Sequence, residues 1–324
     1  MKEYPSGEAQ YLQLCQRLID EGVWVKNKRT GKECLTVIGE TFYYDCRNNA
    51  FPIVTTRKSF WKAAVAEVLG YLIGLDDAAE FARIGSPTWF ANANENKSWL
   101  NNVHRKGEND IGRAYGVQGN SWRVAPTQKE YDLLKEYFDN NDKDKFYELH
   151  SKLETNTLNQ LEKVVKNLKD GVDDRGETIT FWNPSEFDQA CLRPCMHTHT
   201  FSILGDQLYL NSSQRSIDTP LGLNFNVLQV NFLLYLMAHM TGLKPAIAKH
   251  DLINCHIYED QYDLMKDVQM KREPFGVPTF HFKKEIKSLK ELEIILQSPD
   301  FKIDDYFEVR GYEHHAPIKY PFSE

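Results

Sequence analysis

The chain is poor in several features that would have narrowed its class quickly. Its six cysteines, at 15, 34, 46, 191, 195 and 255, contain no CxxC pair and are too sparse in 324 residues for a disulfide framework. A reduced, cytoplasmic protein is the expectation. The strongest apolar stretches, such as residues 232–237, fall far short of the roughly 20 residues that span a membrane. The start MKEYPSGEAQ lacks the apolar core of a signal peptide. No Gly/Ser- or Pro-rich linker and no 20–50 residue repeat occurs, which excludes solenoids and propellers. Positive charge is also short: 39 Lys and Arg against 46 Asp and Glu leave a net charge of −7. That argues against a protein that coats nucleic acid. An anionic ligand would have to be held by a few placed arginines.

What is present reads as a folded chain. Apolar residues make up 41% and aromatics 12%, a globular composition. Residues 1–324 read as a single domain. A helix is predicted over about 8–20, because Leu12, Cys15, Leu18 and Ile19 recur at helical spacing before Gly22. Residues 34–44 and 177–182 suit strands, and 58–73 suit a buried helix. Residues 126–157 are crowded with Lys, Glu, Asp and Asn, and read as a charged helical insertion with a loop at 140–142. A helical stripe continues through Leu161, Val164, Val165 and Leu168. The segments HTHTFSIL and QLYLNSS flank Gly205-Asp206 as a hairpin. Residues 224–242 form a second apolar helix, and LINCHIY a further strand. Helices and strands intermix without a regular βαβ beat, so the fold class is α+β.

Four places carry chemistry. Cys195, in CLRPCMH, follows a proline and enters a strand, with Arg193 and Arg215 as neighbours that would favour its thiolate. A buried small hydrophobe is the other reading. QRSIDTPLGLNFN sets Arg215, Ser216, Asp218 and Asn226 around a Gly-containing turn. Arg and Ser suit an oxyanion, and Asn offers both a donor and an acceptor to an amide-like edge. Asn226 could instead start the helix. Glu67 lies in the apolar run AAVAEVLGYL, where burial should raise its pKa and suit it to acid–base work. A salt-bridged Glu on the helix edge is equally compatible. His256 and Tyr258 would share one face of a strand, reaching a sugar hydroxyl or filling the core.

These pieces, in this order and over nearly the whole chain, resemble the thymidylate synthase family. KNKRTGKECLTVIG, FPIVTTRKSFWKAAVAE, the Pro-Cys pair and QRSIDTPLGLNFN carry the resemblance. It implies that Cys195 is a nucleophile adding to C6 of a uracil ring. It implies that Arg215, Ser216, Arg29 and, across a homodimer, Arg175 hold the 5′-phosphate of dUMP. Asn226 would read the uracil edge, and His256 with Tyr258 would bind the 3′-hydroxyl. Glu67 and Tyr115 would move protons. Asp218 and Trp89 would contact 5,10-methylenetetrahydrofolate, the donor of carbon and hydride, with Leu192, Gly222 and Phe225 on the same side. No metal is implied, and no nucleic-acid or membrane partner.

The chain departs from the family pattern at several positions. Phe90 follows Trp89 where Asp is common, and Gly176 replaces the second of two arginines, leaving Arg193 as a candidate substitute. Met196 follows the nucleophile in place of His, Ile217 stands where Cys or Val is frequent, and the chain ends in Glu324. A dUMP hydroxymethylase, in which water replaces hydride, is the alternative these changes raise. A binding protein without turnover, using 126–157 as its surface, is a third reading.

Overall fold

The computed structural model describes residues 3–28 and 30–322. Its strands in chain order are β1 (Val23–Lys26), β2 (Glu33–Asp45), β3 (Trp122–Arg123), β4 (Thr157–Leu158), β5 (Thr178–Thr180), β6 (Met196–Leu204), β7 (Gln207–Asp218), β8 (Lys244–Tyr258), β9 (Thr279–Phe282) and β10 (Phe307–Arg310). Six of them make one sheet in the order β1-β2-β8-β7-β6-β5. All neighbours are antiparallel except β7 and β8. This is the large mixed sheet flanked by helices expected of an α+β fold.

The one parallel pair explains the central helix. Parallel neighbours cannot be joined by a tight turn, so the chain must cross over the sheet between them. Asn224–Thr241 makes that crossover. It is apolar on nearly every face and buries residues from Val227 to Met240. Its composition and length would suit a membrane, but 78% of that apolar window is packed inside the protein. Gly242 ends it at φ +75, and its N–H donates to the Ala238 carbonyl. The helix Trp61–Leu72 packs against it with nine buried residues, among them Glu67. It begins three residues later than the apolar pattern suggests.

The first helix, Gly7–Glu21, starts at Ser6, whose hydroxyl accepts from the Ala9 N–H. The hairpin at Gly205-Asp206 joins β6 to β7, with Gly205 at φ +65. The strand predicted over 177–182 is shorter, spanning 178–180. The strand predicted from LINCHIY is longer, spanning 15 residues, because it pairs with β2 on one edge and with β7 on the other. The charged segment folds as two exposed helices, Gln128–Asp139 and Lys143–Glu154, turning at 140–142. Leu153 is their one buried side chain.

Three strands are interrupted side by side. Gly39, Ile253 and Arg215 have no ladder partner, although the pairs on either side of each are formed. Across the interruption the inward-facing residues change parity: Leu252 gives way to Cys255, Gln214 to Ile217, and Val37 to Phe42. Gly39 takes φ +76 there, a conformation that costs other residues more. At this point the Arg215 N–H donates to the Cys195 carbonyl, continuing the β6–β7 pairing into the loop that carries the cysteine.

A tight approach lies close by. A Cβ on Gly116 would come within 2.3 Å of the Tyr71 carbonyl oxygen. Gly116→Ala should therefore destabilise the fold by about 1–3 kcal/mol, read as a lower midpoint in thermal unfolding. An unchanged midpoint would mean that the two segments separate freely.

Candidate active site

Cys195 stands at the mouth of β6, half-buried, while the other five cysteines are buried. Arg215 holds its loop at consecutive residues. The Arg215 backbone N–H donates to the Cys195 carbonyl at 2.9 Å. Its Nε donates to the Pro194 carbonyl at 2.9 Å, and Nη2 to the Arg193 carbonyl at 3.0 Å. Nη2 also lies 3.7 Å from Cys195 Sγ. The guanidinium rests over the Trp182 ring at 5.7 Å. A sulfur anion here would face a fixed cation.

Tyr115 approaches from the other side. Its hydroxyl accepts the Cys195 N–H at 2.8 Å. It reaches there from a backbone at φ +36, uncommon for an aromatic residue. Its ring stacks on Tyr71 at 4.8 Å and meets Trp89 edge-on at 5.6 Å. Burial pushes the Tyr115 pKa well above its ordinary value, with the neighbouring Cys195 adding to the shift.

Asn226 does not cap the helix. It lies inside the first turn, and its side chain is held at both ends. Gln214 Nε2 donates to Asn226 Oδ1 at 2.9 Å, and Asn226 Nδ2 donates to Gln229 Oε1 at 2.7 Å. Gln229 Nε2 in turn donates to Glu67 Oε2. Thr88 donates to the other Glu67 oxygen at 2.7 Å. At the far end His250 Nε2 meets Gln214 Oε1 at 2.9 Å, and Tyr44 meets His250 Nδ1 at 3.1 Å. Burial drives the His250 pKa down to about 3, so the ring is neutral. Gln214 Oε1 can only accept, which places the His250 proton on Nε2. Every donor in this chain points toward Glu67.

Burial raises the pKa of Glu67, and the hydrogen bonds from Thr88 and Gln229 oppose that rise. Glu67 is thus a buried carboxylate with hydrogen-bonded partners, and it makes no edge salt bridge among the described residues. The sequence reading missed Gln214, Gln229 and Thr88. Gln229 left a signal: it lies three residues after Asn226 on the same helix, one turn away.

The β7–β8 register places Ser216 opposite Asn254 and Asp218 opposite His256. His256 and Tyr258 meet edge-on at 5.3 Å, as their shared face requires. Asp218 Oδ1 accepts the Leu221 N–H at 3.0 Å, and Oδ2 accepts from Gln261 at 2.8 Å. Burial raises its pKa to about 6 despite both bonds. Gly222 leaves room beside Asn226, since a Cβ there would lie 3.0 Å from Ile217 and 3.8 Å from Asn226 Oδ1. Leu192 and Phe225 are half-buried against the core, and Trp89 is buried.

The side chains of two predicted arginines stand apart from the cluster. Arg193 is exposed and lies over the Phe187 ring at 5.0 Å. Arg175 is exposed on the turn before β5, at φ +69, and shares no hydrogen bond with the cluster among the described residues. Arg29 lies outside the described residues, as does Glu324.

A family model described as thymidylate synthase matches residues 9–324. The chain belongs to the thymidylate synthase family. That membership makes it a one-carbon transferase. Among curated relatives, the thymidylate synthase of Pasteurella multocida is 56% identical over 313 residues, covering 97% of this chain and 99% of the relative. That of Shewanella sediminis is 55% identical over 314 residues, and that of Vibrio cholerae 54% over 314, with the same coverage.

The Asp218 shift has a consequence for stability. Its folded pKa of about 6 lies above the ordinary 3.8. The folded state therefore binds the proton more tightly, and stability falls as pH rises through that window. Above it the loss is complete, on the order of 2–3 kcal/mol. Glu67 acts in the same direction. Asp218→Asn should flatten the fall between about pH 4 and 6, measured by denaturant unfolding across that range. A slope unchanged from the parent would contradict the assignment.

Proposed function

We propose that this chain carries out the reductive methylation of dUMP to dTMP, with 5,10-methylenetetrahydrofolate as donor of both the carbon and the hydride. The observation that carries the reading is the joint placement of Cys195, held by Arg215 and Tyr115, and Asn226, held in one amide orientation by the chain ending at Glu67. Full-length relatives bearing the same family name support it.

Cys195 Sγ adds to C6 of the uracil ring, which makes C5 a carbon nucleophile. Arg215 serves this step twice. It keeps a positive charge beside sulfur, and its Nη1, without a protein partner among the described residues, is available to a phosphate oxygen. Ser216 supplies a hydroxyl beside it. Asn226 offers Oδ1 to the uracil N3–H and Nδ2 to O4. Cytosine presents the opposite pattern at these two positions, and leaves buried groups unpaired at about 1–3 kcal/mol each. His256 and Tyr258 would take the sugar hydroxyl.

The half-buried Asp218 carboxylate suits the ring N–H groups of a folate, and Trp89, Leu192 and Phe225 offer it apolar surface. The folate supplies the one-carbon unit and then the hydride. Glu67 and Tyr115 hold and move protons at the pyrimidine, because both are buried with oxygen atoms directed at the Asn226–Cys195 cluster.

A homodimer is part of the proposal, with Arg175 and Arg29 adding phosphate contacts, Arg175 across the subunit boundary. The sheet's outer face supports it, since Ile38 and Ile253 are exposed there at 63% and 51%. A cytoplasmic location is proposed with it.

Cys195→Ser should cut turnover on the order of 10⁴-fold or more while dUMP affinity stays within a few-fold; retained turnover would remove the covalent step. Asn226→Asp should move preference toward dCMP by about tenfold or more, read as a ratio of kcat/KM values. Mass analysis of the product decides the chemistry. A methyl group supports the proposal, and one additional oxygen would assign the chain to hydroxymethylation.

A further inference from the structure

Gln261 is fully buried just beyond β8, in the short helix Glu259–Asp263. Its Oε1 accepts the Tyr258 N–H at 3.2 Å. Its Nε2 donates to two acceptors, Asp218 Oδ2 at 2.8 Å and the Pro321 carbonyl at 2.9 Å. A primary amide has two N–H groups, so both are used. One amide therefore joins the end of β8, the Asp218 carboxylate and the C-terminal segment.

That segment has its own anchor next door. Tyr320 donates to Gln269 Oε1 at 2.6 Å, and its ring lies 5.1 Å from the Arg57 guanidinium. Gln269 also donates to Thr56 at 3.1 Å. Anchoring at Tyr320 brings the Pro321 carbonyl within reach of Gln261. With Leu221 on Oδ1 and Gln261 on Oδ2, the plane of the Asp218 carboxylate is set from both sides. Were the segment to leave, Gln261 would keep a buried N–H without an acceptor, and the amide would be free to turn away from Asp218.

We propose that Gln261 is a positioning residue that couples docking of the C-terminal segment to the orientation of Asp218, and through it to folate binding. The inference rests on the folate contact proposed for Asp218. It predicts that Gln261 and residues after Tyr320 act as one unit rather than as two independent supports.

The test is calorimetric binding of tetrahydrofolate to the dUMP-loaded protein, using Gln261→Met, a chain ending at Tyr320, and both together. Each single change should weaken tetrahydrofolate by about tenfold, the scale of one hydrogen bond to a charged group. The double variant should be no weaker than the worse single by more than about twofold, and dUMP affinity should be unchanged. Multiplying effects, or a Gln261→Met protein that binds tetrahydrofolate like the parent, would overturn the coupling. Should Gln261→Met fail to fold, the same cycle run with Asp218→Asn and the shortened chain decides, since independent effects there refute the coupling. Asp218→Ala separates the two levels. If it leaves tetrahydrofolate affinity unchanged, the folate assignment itself is wrong. If it weakens affinity while Gln261→Met does not, only the coupling fails.

Discussion

The structure depends on one interruption. Where β2, β8 and β7 lose their ladder partners at Gly39, Ile253 and Arg215, the sheet changes the parity of its inward face. There the Arg215 N–H continues the β6–β7 pairing by donating to the Cys195 carbonyl, and the guanidinium lies along residues 193–195. The nucleophile and its cation are held by the same defect. A functional side chain has been aimed by a break in regular structure, a common use of bulges next to active sites.

Around that point the polar groups are buried but not idle. From Tyr44 through His250, Gln214, Asn226 and Gln229, each donor faces the next acceptor until the chain ends on Glu67. An amide is ambiguous by itself, because its two ends are nearly the same shape. Here a neutral His at one end and a carboxylate at the other remove the ambiguity. Burial supplies the first by lowering the His250 pKa, and the hydrogen bonds from Thr88 and Gln229 favour the second against the burial that raises the Glu67 pKa. The selectivity attributed to Asn226 is thus a property of a network that runs across the core.

Much of this was legible in the amino-acid order. Both apolar helices, the hairpin at Gly205-Asp206 and the charged excursion follow from local periodicity and turn chemistry. Glu67 was legible because a carboxylate in an apolar run must be partnered or protonated. Its partners were not. Thr88 and Gln229 lie 21 and 162 residues away in sequence, and no local pattern reports a contact of that range. Asn226 at a helix start read equally well as a cap, and only its bonds to Gln214 and Gln229 show otherwise.

The sequence by itself determined the chemical vocabulary: one cysteine after a proline, a few arginines against an acidic background, and an amide and carboxylates set among apolar residues. It also determined the helices and most of the strands, since these depend on spacing that a short window contains. The tertiary structure decided which way each polar group faces. It laid the Arg215 guanidinium along residues 193–195, oriented Asn226, and brought Gln261 between Asp218 and Pro321. Those outcomes depend on groups far apart in the chain competing for a limited number of buried donors and acceptors, and that competition is settled only when the whole sheet is assembled.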